Sequence, residues 1–330
     1  MFELNLQLFA VQTTTLNAVG SNDLSPEMKT YYDMRLIDEA APALVHDQFG
    51  QRRPIPANGG KTIEFRKIDS LPDALTPLTE GVTPEGNKLN VTAITATVKQ
   101  YGDYITQSDV LELTSLDNTI LEATKILGRQ AGSTMDAIVR NVLAAGTNYL
   151  AAQGKGSDPS NVAEEGGDIT IDDVKKAVAI LKSNNAPTIN GDYVAIIHPM
   201  NAYHLMNDPK WEEYHKYTTS ENLYEGEIGR IAGCRFVETT NAVVYDTNHG
   251  KVYGTIILGD DAYGVTEVTG GGLQTIIKQK GSAGTADPLD QRSSVGWKGM
   301  KTAKILVPQY MINILSKCSD ANVNGNVSKK

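Results

Sequence analysis

The feature that most constrains this chain is a pair of alternating segments separated by a long segment without periodicity. Residues 61–68 and 90–98 alternate polar and apolar side chains, as half-exposed strands do, and the second segment is rich in β-branched residues. Residues 69–89, between them, contain three prolines and two glycines. Loops this long are uncommon inside compact domains and are usually functional or disordered. We therefore predict that these two strands form an extended hairpin, whose tip has no core of its own.

Charge is distributed unevenly along this hairpin. Residues 51–67 carry five basic side chains and one acidic one, whereas residues 69–89 carry four acidic side chains and one lysine. Two interpretations stay open: a solvated hairpin of mixed charge, or an acidic loop of one subunit that lies on the basic base of the next. The second arrangement would fix the register between neighbouring subunits. The candidate inter-subunit contact residues are Arg52, Arg53, Lys61, Arg66, Lys67, Asp69, Asp73, Glu80, Glu85 and Lys88.

The longest helical pattern lies in residues 116–150, where apolar side chains recur at intervals of three, four and seven. A helix of this length would be about 45–50 Å long and would act as a strut. Gly128 and Gly132 interrupt the pattern. Each glycine costs a helix about 1 kcal/mol relative to alanine, so both indicate close packing or a bend.

The two ends of the chain differ from this pattern. Residues 1–25 include alternating Leu4, Leu6 and Leu8 and predict an arm that needs an external surface on which to settle. A proline-initiated helix is predicted to begin after Ser25. Residues 319–330 form a polar tail.

A mixed α/β region is predicted beyond the long helix. Residues 154–167 are hydrophilic and are interpreted as a linker, after which Thr170 begins a helix that reaches about Ser183. Residues 193–197 are typical of a buried strand, and a helical segment follows to about Tyr217. Short strands and turns continue to about residue 316.

Composition excludes several classes of protein. The chain has 330 residues, with 30 Lys+Arg and 39 Asp+Glu, and a formal charge of −9. This acidic balance argues against a nucleic-acid-binding protein, because such proteins need an excess of basic residues to neutralise phosphates. Its two cysteines are too few for a disulfide framework. The sequence contains no apolar run long enough for a membrane helix, and its first residues lack the basic region and cleavage site of a secretion signal.

Glycine-rich motifs give little support to nucleotide binding. Gly59-Gly60-Lys61-Thr62 resembles the end of a phosphate-binding loop, but a predicted strand follows where that motif needs a helix. We interpret it as the start of the hairpin. Residues 226–233 lack the spacing of a dinucleotide fingerprint and indicate a strand–turn connection in which glycine supplies a positive φ.

Signals for an enzyme are also weak. His198, His204 and His215 are separated by six and eleven residues, which does not place them on one helical face as metal ligands at i and i+4 would be. Asp260-Asp261 follows Leu258-Gly259 and is more typical of a turn than of a catalytic carboxylate pair. A metal-dependent hydrolase that uses the His198–His215 region stays a remote alternative.

Longer segments carry a family resemblance. Residues 24–67, 78–114 and 130–148, together with YVAIIHPMNAYHLMNDPKW, IAGCRFVETTNAVVY and TAKILVPQYMINIL, resemble tailed-phage major capsid proteins of the Hong Kong 97-type (HK97-like) fold. The likeness extends from about residue 24 to 316 and is strongest to the kind found in phages and prophages of Gram-positive bacteria. The opening MFELNLQLFA is also similar to the start of many such proteins.

The resemblance implies an α+β fold with an N-terminal arm, an extended β-hairpin loop, a long spine helix in a peripheral domain, and a mixed α/β axial domain. On this sequence the implied parts are an arm (1–25), a helix and connector (26–58), the extended loop (59–106), a peripheral domain (107–167) with spine helix 116–150, an axial domain (168–270), return strands to the peripheral domain (271–318) and a polar tail (319–330).

It also implies a function. A protein of this family is a virion component without enzymatic activity or cofactor, which self-assembles in the host cytoplasm into hexamers and pentamers of an icosahedral head around double-stranded DNA. Its partners would be further copies of itself, a portal protein at one vertex and, by non-specific proximity, the packaged DNA, with no membrane involved. An encapsulin-like nanocompartment shell is the alternative within the same fold.

Two family features are predicted to differ here. About twenty-five residues precede the first predicted helix, too few for a scaffolding domain, so we expect a separate scaffolding protein. Some relatives form isopeptide cross-links between a lysine and an asparagine. Lys67 and Lys88 match only in residue type, and we predict no self-catalysed cross-linking.

Overall fold

The computed structural model describes residues 34–40, 44–56, 59–68, 71, 73–77, 80–81, 83, 86–114, 119–211, 229–266, 271–282 and 287–318. The predicted arm, the helix start after Ser25, His215 and the polar tail lie outside these residues. Contacts within the chain group it into two compact units. One comprises the described parts of Met1–Leu44, Gln100–Asp136 and Gly270–Lys301, and the other comprises those of Val45–Lys99, Ala137–Thr269 and Thr302–Lys330.

The described residues form six helices and fourteen strands. The helices are α1 (described part 34–40), α2 (Asp109–Thr114), α3 (Thr119–Ala144), α4 (Pro159–Glu165), α5 (Ile171–Ser183) and α6 (Pro199–Met206). The strands are β1 (Gln51–Arg52), β2 (Thr62–Ile68), β3 (Val91–Thr97), β4 (Lys99–Ser108), β5 (Tyr149–Ala151), β6 (Tyr193–Ile197), β7 (Arg230–Ile231), β8 (Cys234–Glu238), β9 (Val243–Thr247), β10 (Gly250–Leu258), β11 (Tyr263–Thr266), β12 (Gln274–Lys278), β13 (Arg292–Ile305) and β14 (Met311–Ser316).

In the first unit, the side chain of Gln130 connects the helix α3 to two antiparallel strands by hydrogen bonds. The strand β13 pairs with β12 and also with β4. The Gln130 side chain on α3 donates a hydrogen bond from Nε2 to Asp103 Oδ2 (2.6 Å), and its Oε1 accepts one from Trp297 Nε1 (3.2 Å). The hydrogen bond from Gln130 lowers the pKa of Asp103. One amide therefore links α3 to two strands.

The helix α1 packs against α3 at its two glycines. A Cβ atom on Gly132 would lie 2.4 Å from the carbonyl oxygen of Ala40, and one on Gly128 would lie 3.0 Å from that of Leu36. Leu36 and Ala40 are both buried. The predicted close packing at Gly128 and Gly132 is therefore confirmed, because only glycine leaves room for the α1 backbone at Gly132.

In the second unit, a seven-stranded sheet has the order β5-β14-β10-β6-β8-β7, and β9 also pairs with β10. The strand β6 runs parallel to β8 and antiparallel to β10. All five residues of β6 are buried, so the alternation of its side chains supplies both faces of the sheet. Tyr193, Ala195 and Ile197 pack with α5 and α6, whereas Ile196 packs with the end of α3 and with β11.

A buried amide connects α6 to this sheet. The Asn201 side chain is fully buried and donates from Nδ2 to Thr255 Oγ1 (3.0 Å). Its Oδ1 accepts a hydrogen bond from Ser316 Oγ (3.0 Å). Because Thr255 lies on β10 and Ser316 on β14, satisfying this one amide fixes α6 over two neighbouring strands.

Several predicted elements are confirmed. The helix α5 spans Ile171–Ser183, and Thr170 and Asp173 form a reciprocal capping box at its start. The buried strand predicted over residues 193–197 is β6, and the described strands β2 and β3 fall within the two alternating segments.

Other predictions were wrong in their bounds. The helix predicted over 116–150 is described from Thr119 and ends at Ala144, earlier than predicted, because the chain turns at Gly146 and pairs as β5 with β14. The linker predicted over 154–167 contains α4, which Asp158 caps and which buries only Val162 and Ala163, too few apolar residues to show a helical period. The assignment of residues 271–318 as return strands to a peripheral domain stays a prediction; the last of these strands, β14, lies between β10 and β5 in the seven-stranded sheet.

We predict that Gly132→Ala lowers the free energy of unfolding by about 2 kcal/mol, because overpacking against a backbone atom costs about 3 kcal/mol, the upper end of the usual range, and the gain in helix propensity offsets about 1 kcal/mol of it. Chemical denaturation measures the change. Gly128→Ala should have the smaller effect, and Ser133→Ala, on the exposed side of α3, serves as the surface control. A Gly132→Ala protein as stable as the unmodified chain would contradict the packing of α1 described above.

Candidate assembly surface

The predicted hairpin is present as a two-stranded antiparallel sheet. The strands β2 and β3 pair over their whole length, from Thr62 opposite Thr97 to Ile68 opposite Val91. Val98 N donates to Lys61 O (2.9 Å) and closes the base of the hairpin. The segment Gly59-Gly60-Lys61-Thr62 leads into β2, so its interpretation as a hairpin start is confirmed.

One aromatic side chain anchors the hairpin. Phe65 is 1% exposed and packs with Ala96, Leu306 and Val307. Its ring lies so close to Gly264 on β11 that a Cβ atom there would be 2.5 Å from a ring carbon. The hairpin is therefore fixed where a glycine lets an aromatic ring rest directly on the backbone of a core strand.

In contrast to the buried Phe65 at the base, the described side chains at the tip of the hairpin are exposed to solvent. Leu71, Leu75 and Leu89 are 52%, 86% and 66% exposed. Asp73 and Glu80 are exposed as well. Gly81 and Gly86 have open space around them. The described residues of the tip therefore present aliphatic and acidic side chains to solvent without burying them.

The basic residues singled out from the sequence lie around the hairpin base. Arg52 is engaged within the chain, where its Nη2 lies 3.2 Å from Asp47 Oδ2. Arg53, Lys61 and Arg66 are exposed and Lys67 is half-buried. The tip residues Asp73, Glu80 and Lys88 are exposed, whereas Asp69 and Glu85 lie outside the described residues.

A groove of about 250 Å³ adjoins the hairpin base. Phe65, Ile94 and Tyr310 line it, together with the charged side chains of Arg66, Lys67 and Asp261. Partial burial is the largest cause that raises the pKa of Asp261, the neighbouring Asp260 raises it further, and Arg53 opposes both. The groove thus combines an apolar wall with basic and acidic groups at close range.

The sequence did not predict which residues pack against Phe65. Phe65 lies on the apolar side of an alternating segment, which signals burial but not its partner. Nothing in the sequence marks Gly264, Leu306 or Val307 as neighbours of Phe65, because they are about 200 residues or more away along the chain.

The glycine-rich segment and the Asp260-Asp261 pair have structural roles in the part of the chain that the structure describes. Ala232 and Gly233 have φ values of 56° and 79° and connect β7 to β8, as the glycine-rich segment predicted. Asp260 and Asp261 form the predicted turn.

The histidines of the metal hypothesis have separate positions. His198 Nδ1 accepts a hydrogen bond from Met200 N (3.2 Å) and caps α6, and burial lowers the pKa of His198. His204 Nδ1 lies 3.8 Å from Asp168 Oδ2. Among the residues with described positions, no three His, Cys, Asp or Glu side chains are grouped as a metal ion requires.

The helices were also compared with the requirements of a membrane span. Within the described ranges, none of them combines the length and the apolar character needed to span a bilayer.

Residues 91–312, about two thirds of the chain, match the family of phage capsid proteins. The chain belongs to this family. The match favours a phage capsid over the nanocompartment shell and the hydrolase. No curated protein sequence matches the chain significantly.

Solved capsid structures agree with this phage capsid protein in fold. The capsid of cyanophage P-SCSP1u is 16% identical, with a TM-score of 0.62 over 84% of this chain and 89% of that one. The capsid of Ralstonia phage GP4 is 14% identical, with a TM-score of 0.63 over 84% and 89%. The capsid of cyanophage Pam1 is 13% identical, with a TM-score of 0.59 over 97% and 100%.

The expected fold class and function are confirmed. The protein has the α+β fold of HK97-type phage capsids over most of its length. It is a major capsid protein of a phage head, and hence a structural protein.

We predict that Gly264→Ala displaces the Phe65 ring and tilts the hairpin, because the new methyl group would overlap the ring. Thermal unfolding should shift only modestly, while the yield of assembled shells in electron micrographs should fall at least about tenfold. Gly86→Ala, whose Cβ would meet no atom within 4 Å, is the control and should assemble normally. Equal shell yields for the two variants would show that the anchor does not set the position of the hairpin.

A second prediction concerns pH. Because the pKa of Asp261 is raised in the folded protein, the folded state binds its proton more tightly than the unfolded state. This contribution to stability is present below the ordinary pKa of an aspartate and is lost as the pH rises through the raised value. Asp261→Asn should therefore stabilise the protein near neutral pH by less than ~1 kcal/mol, since the side chain is exposed and screened. Melting curves at acidic pH should show a smaller difference, and an equal difference at both pH values would contradict the assignment.

Proposed function

We propose that this capsid protein forms hexamers and pentamers by laying the tip of its hairpin on the base of the hairpin of a neighbouring copy. The observation that carries the proposal is the contrast within one element. The base is anchored by the fully buried Phe65, whereas Leu71, Leu75 and Leu89 at the tip are mostly exposed. A rigidly held element that leaves large aliphatic side chains in water is suited to contact another molecule.

Apolar contact supplies the affinity in this proposal. Burying one exposed leucine is worth about 1.5–3 kcal/mol, so the three leucines of the tip make a modest contact after the costs of association. Each subunit of a shell has several neighbours, and weak contacts then reinforce one another through effective concentration. Heterologous contacts of this kind close into rings.

Charge supplies the register. Asp73 and Glu80 at the tip would face Arg53, Lys61 and Arg66 at the base of the next hairpin. Arg52 would contribute less, because Asp47 of its own chain already neutralises it. Lys67 and Lys88 border the same surface, and we propose that they act as charges rather than in cross-links.

The roles of the chain segments follow the family resemblance. We infer that residues 59–106 act as the extended loop and that α3 acts as the spine helix of a peripheral domain. Residues 168–270 would form most of the axial domain around the capsomer axes. The arm (1–25), the connector (26–58) and the tail (319–330) would lie at subunit boundaries.

Further partners are inferred on the same basis. A separate scaffolding protein would guide assembly, and a portal protein would occupy one vertex. The net charge of −9 suits a wall along which packaged double-stranded DNA slides, because a strongly basic wall would hold it. We infer a host among the Gram-positive bacteria from the sequence resemblance.

Deleting residues 70–88 and closing β2 to β3 with a short turn tests the proposal. The variant should remain folded by circular dichroism and melt cooperatively, since the described residues of the tip are exposed, but it should form no shells in electron micrographs with or without a scaffolding partner. Replacing Leu71, Leu75 and Leu89 together by serine should give the same loss, while Thr76→Ser with Thr83→Ser should assemble normally. Shells formed by the deletion variant would refute the proposed contact, and an unfolded variant would show that the loop belongs to a core.

A further inference from the structure

The first unit presents one open face of a three-stranded sheet. The strand β13 pairs with β12 and also with β4. Side chains alternate between the two faces of a sheet, and in this unit the odd-numbered residues of β12 and β13 are buried. The even-numbered residues therefore form the open face, on which Ile276 lies opposite Gly296 and Lys278 lies opposite Ser294.

A cavity of about 370 Å³ lies on this face. Tyr104 and Ile276 line it and are 68% and 37% exposed. Gly296 also lines it and contributes only backbone, because a Cβ atom there would be 2.8 Å from the Cβ atom of Tyr104. Sites for small ligands have volumes of about 300–1,000 Å³ and combine apolar walls with a few polar groups. This cavity falls within that range, and Ser294 adds a hydroxyl group to its lining.

A lysine lies at each end of the cavity. Lys278 pairs with Ser294 on one side of Gly296, and Lys298 pairs with Gln274 on the other. Both lysines are exposed. Four residues separate the two pairs along β13, so the lysines are about 13 Å apart along the strands. A second cavity of about 190 Å³, lined by Gln274 and Lys298, lies at that end.

No carboxylate opposes these lysines on the open face. Among the described residues of the first unit, the even-numbered positions of β4, β12 and β13 include no aspartate and no glutamate. Asp103 is odd-numbered and points to the other face, where its Oδ2 accepts the hydrogen bond from Gln130 on α3 (2.6 Å). Charge complementarity therefore favours an anionic ligand.

The face does not suit nucleic acid or an acidic peptide. Proteins that bind single-stranded nucleic acid stack successive bases on several aromatic side chains, whereas the described even-numbered positions of these strands include one, Tyr104. The net charge of −9 also opposes a polymer as densely charged as nucleic acid. Extended peptides bind at sheet edges, and β13 has a paired strand on each side, so the centre of this face offers no edge.

We propose that this cavity binds an acidic polysaccharide on the outside of the head. One sugar ring stacks on Tyr104, and the carboxylates of the two flanking units pair with Lys278 and Lys298. A sugar ring has an apolar C–H face, which suits an exposed aromatic ring, and hydroxyl groups, which suit the side chains of Ser294 and Gln274. A polymer whose charged and neutral rings alternate thus matches a ring site with a cation on each side.

The inference goes beyond the proposed function, because it uses no residue of β2, β3 or the tip between them. A single site of this kind is weak, since it is open to solvent and holds one ring. A shell repeats it in every subunit, and many weak sites that act together give high avidity. The expected consequence is that heads adhere to surfaces coated with acidic polysaccharide.

Titration calorimetry of assembled shells with a hyaluronan octasaccharide, in which carboxylate-bearing and neutral rings alternate, tests the site. We expect saturable binding that weakens as the salt concentration rises. Tyr104→Ala should lower the affinity at least about tenfold, because it removes the aromatic ring at the centre of the site. Tyr104→Phe keeps the ring and should bind almost as tightly. Tyr203→Ala removes a comparably exposed tyrosine from α6 (48%) and is the matched control, which should bind as the unmodified protein does.

Charge variants separate recognition from simple attraction between opposite charges. Lys298→Gln should weaken binding and make it less sensitive to salt, while Lys182→Gln, at an exposed position on α5, should change neither. Ser294→Asp places a carboxylate inside the cavity and should abolish binding. These variants carry the test if the Tyr104→Ala protein does not form shells. Binding that responds to the lysine variants but not to Tyr104→Ala would show attraction without a ring site and would overturn the inference.

Other ligands test the class of polymer. A neutral maltose oligosaccharide should bind more weakly than the hyaluronan probe, and equal binding would overturn the role of the lysines. Tighter binding of a thymidine oligonucleotide or of a glutamate peptide would assign the cavity to nucleic acid or to protein instead, and would overturn the choice of polysaccharide. Shells that bind no probe, or binding by isolated subunits alone, would overturn the inference and leave the proposed function standing.

Discussion

The contact between the Phe65 ring and the backbone of Gly264 is the constraint on which the projecting part of this protein depends. A two-stranded hairpin is at best marginally stable in water and cannot hold a direction by itself. Here the ring lies on a core strand and packs with Ala96, Leu306 and Val307. Burial of one aromatic side chain thus fixes the base of a thin two-stranded element.

The second unit supplies the rigidity behind that anchor. Its sheet is buried on both faces, with β6 contributing alternate side chains to two apolar clusters. The buried side-chain amide of Asn201 is satisfied by Thr255 and Ser316 on two adjacent strands of this sheet. Such interiors are close-packed and transmit displacement rather than absorbing it. The base of the hairpin therefore has a defined direction relative to this core.

Prediction from the sequence succeeded where a pattern is local and failed where it depends on distant residues. The hairpin strands, α5 and β6 have clear periodicity or caps, and all were located. The end of α3 was overestimated because β5 is defined by pairing with β14, over 160 residues away. The helix α4 was missed because it buries only two side chains. Around the candidate site, the charges were recognised, but the pairing of Arg52 with Asp47 was not.

The sequence by itself determined that the chain has an alternating hairpin with a coreless tip, a long helix with two glycines, and an uneven distribution of charge, since each is a local pattern of side chains. Only the tertiary structure decided that Gly132 admits the backbone of α1 and that Gly264 receives Phe65. The physical reason is that steric room and backbone hydrogen bonding are properties of residues brought together across the chain, and no spacing along the sequence records them.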